Sequence, residues 1–128
     1  MVFQVTNGIK ISVKTEFEST IYRNYKLHYI FSYRLSIENQ SNDTVQLLRR
    51  NWKVFDSLNE IEDINGEGVI GEKPILKPKE KFTYKSHCIL TSTIGAMKGY
   101  FEMINFTTTQ NFEVKIPTFQ LIVKGAIN

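Results

Sequence analysis

From position 27 to 37 the chain alternates with a period of two. Leu27, Tyr29, Phe31, Tyr33, Leu35 and Ile37 take the odd positions, while Lys26, His28, Ser32, Arg34, Ser36 and Glu38 take the even ones, with Ile30 the single apolar exception. Successive side chains of an extended strand point to opposite faces, so this spacing predicts a strand with one buried and one wet face. On a helix the same apolar set would scatter around the axis. The length of the run predicts a bend or a bulge.

The theme repeats along the chain. Ile9, Ile11 and Val13 alternate after an Asn7-Gly8 turn signal, and the turn chemistry of positions 40–43 precedes a β-rich run from Val45 to Phe55. In that run Val45 and Leu47 lie on one register and Trp52 and Val54 on the other, which predicts a bulge near Arg49-Arg50. Phe82, Tyr84, Ser86, Cys88 and Leu90 share a face, as do Met97, Gly99, Phe101 and Met103. Phe112, Val114 and Ile116 precede Pro117, and Phe119, Leu121 and Val123 follow it. About seven strands result, with no helical crossover of the kind that parallel strands need, so the expected fold is all-β: an antiparallel two-sheet sandwich. The one long irregular segment expected is 56–81.

Composition narrows this further. A chain of 128 residues with nine Phe, six Tyr and one Trp is the size of one globular domain, expected to span 1–128, and it needs no metal or disulfide to fold. Its single cysteine, Cys88, fits a reducing compartment, most simply the cytoplasm. The longest stretch free of charged residues, between Lys85 and Lys98, is too short to cross a bilayer, and no signal-peptide core is visible. A net charge of +3 does not by itself mark a nucleic-acid binder, and the lysines at 73, 77, 79, 81 and 85 are diluted by Glu72 and Glu80, so they read as a solvated loop and strand face.

Gly66, Gly68 and Gly71 form G-x-G-x-x-G. That pattern binds dinucleotides only where it follows a strand and opens a helix, and Pro74 and Pro78 forbid the helix. Two readings remain. Each glycine supplies a positive φ or a close backbone approach in a tight loop. Alternatively, consecutive amides form a nest for phosphate or pyrophosphate, with Arg49, Arg50 and Lys73 offsetting Glu67 and Glu72.

The remaining chemistry is sparse. Adjacent strand residues face apart, so His87 and Cys88 cannot pair, and Cys88 shares its register with core residues. No catalytic set is visible, His28 and His87 are far apart, and Glu60, Glu62 and Asp63 read as a solvated acidic loop, so neither an enzyme, a metal site nor a cofactor is expected. Trp52 and Tyr100 have an ordinary packing reading between sheets.

Several segments, in their order and spacing, closely resemble the ApaG family over nearly the whole chain: LLRRNW at 47–52, NGEGVIGEKP at 65–74, LKP at 76–78, FTYKS at 82–86, GAMKGYFEM at 95–103 and IPTFQL at 116–121. Two positions depart from the family pattern, Asn51 where it usually has His and His87 where it usually has Gly. The resemblance implies a fibronectin-III-like or immunoglobulin-like sandwich. It also implies a loose association with cobalt resistance and magnesium efflux, and, through related eukaryotic adaptor domains, a protein-binding role. The expected function is thus a non-catalytic binding module for a protein partner, with a small-anion or divalent-metal sensor as the alternative and a homodimer compatible with an exposed sheet edge. Loops 56–81 and 91–99 are the expected contact surface, with Glu67, Glu72, Met97 and, at its border, Tyr100 as candidate contacts.

Overall fold

The computed structural model describes residues 1–57 and 59–125 and has no helix among them. Nine strands form two antiparallel sheets: β1 (Val2–Thr6), β2 (Ile9–Arg23), β3 (Lys26–Asn39), β4 (Val45–Asp56), β5 (Glu62–Glu67), β6 (Ile75–Leu76), β7 (Lys81–Leu90), β8 (Ile94–Asn105) and β9 (Asn111–Ile122). One sheet has the order β1-β2-β3-β7; the other runs β5-β4-β8-β9, with the short β6 also on β4. The two-sheet sandwich is the expected architecture, but the strand count differs. Part of 56–81 is not irregular, because β5 and β6 both pair with β4. Likewise the connection expected at 91–99 shrinks to 91–93, since β8 begins at Ile94.

Breaks in the two-residue rhythm coincide with bulges. In β4 the register shifts between Leu47 and Arg49, which returns Arg50, Trp52 and Val54 to the inner face. The segments on either side of Pro117 form a single strand, Asn111–Ile122, whose pairing with β8 shifts between Met97 and Gly99, with Pro117 in the bulged stretch where no ladder donor is needed. The bend expected in the 27–37 run falls on its partner, as a shift between Phe17 and Ser19 of β2. Leu27 is exposed, because β7 pairs β3 only from Tyr29 onward and the tip of the β2–β3 hairpin projects beyond the sheet.

The core lies between the sheets. Tyr33 of β3 meets Trp52 of β4 at 5.5 Å between ring centroids and Phe119 of β9 at 5.7 Å, and Trp52 packs on Phe101 at 6.5 Å. Asn39 is fully buried at the end of β3; its amide donates to the carbonyls of Asp43 and Leu76, and its Oδ1 accepts from Ser41. These bonds satisfy every strong polar group of a side chain that would otherwise be costly to bury.

The two long sides of the sandwich differ. On one, β1 and β2 pack on β9, and the Lys115 amide reaches the Thr6 hydroxyl. On the other, the edge strands β5 and β7 leave a slot between the sheets. Each end of the slot is tied. At one end the Asn39 side-chain amide, on β3, donates across the sheets to the Leu76 carbonyl of β6 (2.9 Å). At the other, the Asp56 carboxylate accepts from the Thr91 amide (2.7 Å) and hydroxyl (2.8 Å), from Asn59 (3.0 Å) and from the Ser92 hydroxyl.

Burial pushes the Asp56 carboxyl up, but the bonds from Ser92, Thr91 and Asn59 outweigh it and hold the group below its ordinary range. A depressed carboxyl stabilises the fold above its unfolded pKa and loses that contribution as pH falls through the folded value. Asp56→Asn is therefore expected to lower unfolding free energy by about 1.5–3 kcal/mol at neutral pH, where bonds to a charged acceptor are lost. The gap from the parent protein should narrow below about pH 4, in denaturant titrations run at both pH values.

Candidate functional site

The glycine motif builds one wall of the slot. Gly66 lies in β5 opposite Arg50 of β4, with ordinary strand backbone, and its missing side chain is the point: a Cβ there would sit 2.6 Å from the Arg50 Cζ. The guanidinium occupies that space, and its Nη1 donates to the carbonyls of Glu67 (2.9 Å) and Gly68 (2.8 Å). Gly68 and Gly71 have φ of +60° and +79°. Val69 and Glu72 exchange both amide bonds at 2.8 Å around Ile70 and Gly71, a two-residue hairpin turn whose central residues both need positive φ. Ile70, at φ +43°, is a β-branched residue in the left-handed region, a strained conformation.

This geometry bears on the candidate anion residues. The amides of Gly68, Val69 and Glu72 already donate to carbonyls, of Leu48, Glu72 and Val69 respectively. The two neighbouring arginines part company. Arg49 points to the outer face of its sheet, bonded to Glu67 (3.1 Å) and Glu102 (3.2 Å), and Lys73 reaches the other oxygen of Glu67 (2.9 Å). Lys73 and then Arg49 hold the Glu67 carboxyl below its usual range. So Arg49 and Lys73 converge on an acid, while Arg50 alone turns inward.

The slot that Arg50 enters has a volume of about 510 Å³. Tyr33, Trp52, Val54 and Met97 form its floor, Glu62, Ile64 and the 69–70 turn one wall, and positions 84 and 86–89 of β7 the other. Ile64, Ile70 and Ile89 are exposed along its rim. Arg50 marks one end. At the other is Glu62, four residues along β5 from Gly66, or about 13 Å at 3.3 Å per residue. Tyr84 is 6% exposed, yet its buried hydroxyl has no hydrogen-bond partner among the described residues. Burial raises the phenol well above its ordinary pKa, against the pull of the nearby Arg50 cation. Burial likewise pushes the Cys88 thiol up to about 11, so at neutral pH it is a thiol and a poor nucleophile.

Other expectations fall into place individually. Met97 is 3% exposed: the register of β8 that aligns it with Phe101 and Met103 turns it inward, where it lies in the slot floor. Tyr100, half-buried, faces outward beside Arg49 and Asn51, and Glu72 is exposed in the turn. His87 points to solvent and Cys88 inward, as strand alternation requires. Among the described residues no group of three His, Cys, Asp or Glu side chains is placed to hold a metal, and no helix is long and apolar enough to cross a membrane. Asn51 is buried with its amide on Asp63 (2.8 Å) and Asn65 (2.6 Å).

Residue reading assigned Tyr33 and Tyr84 to the core and missed the slot they border. The signal that could have found it is the phase change in β4. Once Trp52 and Val54 are taken as inward, Arg50 has the same parity and must enter the sandwich or its margin.

Residues 20–105 match the model of the ApaG domain. The chain is 42% identical over 98 residues to Protein ApaG of Caulobacter vibrioides, covering 77% of this chain and 69% of that one. It is 36% identical over 124 residues to Protein ApaG of Anaeromyxobacter dehalogenans, covering 97% of each. An X-ray structure from the Northeast Structural Genomics Consortium superposes with a TM-score of 0.89 at 29% identity, covering 94% of this chain and 91% of the other.

Proposed function

Because this chain belongs to the ApaG domain family and its sandwich opens along one long side, we propose that it is a non-catalytic binding module that takes up an extended segment of a partner protein at the slot between β5 and β7. The observation that carries this reading is the free edge of β7 beside a slot rimmed by exposed Ile64, Ile70 and Ile89. An edge strand presents unpaired amides and carbonyls that template another strand, and alternate side chains of that strand would drop into the slot. Clustered apolar side chains on a soluble surface mark contact sites more often than isolated ones do. The lone thiol, raised by burial, suits a reducing setting such as the cytoplasm.

The alternative of a small-anion or divalent-ion sensor, linked to cobalt or magnesium homeostasis, has less support, since the turn amides and the Arg49 and Lys73 cations are already engaged.

Peptide display against the folded domain tests the proposal. Enriched peptides should slow hydrogen exchange of β7 amides, and Ile89→Lys should weaken them by at least about tenfold, the effect of losing one apolar contact and adding a charge at the rim. Failure to enrich any peptide, or protection confined to the β2–β3 hairpin, would overturn it. A second copy of the chain is the competing occupant, and concentration-dependent protection of β7 without peptide would identify it.

A further inference from the structure

Arg50 turns toward the inside of the sandwich, where the core is a cluster of apolar side chains. Only its Nη1 is taken up in protein hydrogen bonds among the described residues, by two carbonyls that carry no net charge. No carboxylate lies within ion-pair distance of it among those residues, whereas Arg49, Lys53, Lys73 and Lys85 are each paired. Gly66 clears the space that lets it lie there. On the same slot the Tyr84 hydroxyl is buried with no partner among the described residues, although a buried hydroxyl is nearly always satisfied by protein, water or ligand. Both groups line the same slot, and among the described residues the only carboxylate on its walls, Glu62, stands at the far end.

We infer that the Arg50 end of the slot is a carboxylate subsite, in which an acidic side chain of the bound segment accepts hydrogen bonds from the Arg50 guanidinium and the Tyr84 hydroxyl. This rests on the slot being the recognition surface. An arginine fork and a phenol match the two oxygens of a carboxylate, and charge-assisted bonds of this kind are stronger where water is excluded. The aromatic floor of Tyr33 and Trp52 receives the methylene stem of Glu or the neighbouring residue. Glu62 repels a second acid at the opposite end, which sets the direction in which an acidic segment lies. The exposed Lys81 of β7 adds a same-sign preference along that edge.

Trp52 is the only tryptophan of the chain and sits in the slot floor, so its fluorescence is a probe of this site. The probes are 4-phenylbutyrate, an aromatic body bearing a carboxylate, and its neutral amide. The acid should change Trp52 emission saturably and bind at least about tenfold more tightly than the amide, one charge-assisted contact being worth that factor. Tyr84→Phe, which keeps the ring and removes only the hydroxyl, should weaken the acid by roughly three- to tenfold and leave the amide unchanged. Arg50→Gln should abolish the preference. Equal binding of acid and amide, no saturable response to the acid, or a preference that survives Arg50→Gln would overturn the inference. Displayed peptides that protect β7 but contain no acidic residue would also sink it while leaving the binding-module reading standing. Tight acid binding with no enriched peptide would do the reverse.

Discussion

Replacing Gly99 by alanine is expected to destabilise the domain by about 3 kcal/mol or more, a larger cost than overpacking commonly brings. Gly99 lies in β8, paired with Trp52 of β4 and opposite the bulge of β9. A Cβ built there would overlap the Asn51 carbonyl oxygen and come within 3.2 Å of the Trp52 Cα. Both obstacles are backbone of a central strand, so neither can swing away as a side chain could. Relief requires the β4 and β8 backbones to separate, which breaks ladder hydrogen bonds on both sides of the substitution. For a domain of this size the midpoint of thermal unfolding should fall by roughly 10 °C or more. Lys98→Ala, one residue away and exposed, should stay within about 0.5 kcal/mol. A Gly99→Ala protein that melts with the parent would mean that β8 does not approach β4 as described.

Phe101→Ala should cost about 3–5 kcal/mol, the range for deleting a large aromatic from a closed core. Phe101 is fully buried, and its ring packs edge-on against Trp52. Its removal leaves a void that β4 and β9 cannot fill without shifting the bulges that set their registers. Because Trp52 loses an aromatic neighbour, its emission in the folded protein should change as well, which separates a repacked core from simple unfolding. Urea titration gives the free energy, and an unchanged slope would show that the variant still unfolds from a native-like state. A loss under about 1 kcal/mol would contradict the packing described.

The sandwich was legible because one face of most strands is dry. Ile9, Ile11 and Val13, or Leu35 and Ile37, can be sorted by parity alone, and the changes of parity at Arg49-Arg50 and at Pro117 carry the bulges. β5 was not legible. Its residues are Glu62-Asp63-Ile64-Asn65-Gly66-Glu67, with one apolar side chain, and such a strand is held by backbone pairing to β4 and by polar links from Asn51 and Lys53, which leave no periodic trace. The Gly66 signal was read as a loop for the same reason. A glycine needed for the volume of a neighbour's guanidinium looks, in a sequence, the same as one needed for its torsion angle. The candidate site therefore stayed hidden even though each of its members was visible: parity could place Tyr33, Trp52 and Tyr84 inward, but not tell that the sheets part beside them.

The ties at the two ends of the slot make it a frame of fixed length, strung between the Asn39 anchor and the Asp56 clasp. Between those knots only the middle of the β5 and β7 margins is at liberty to flex. On the binding reading proposed above, a guest chain would gain width by bowing the lips apart but not reach, and discrimination among guests would be a matter of how many residues fit between two fixed posts.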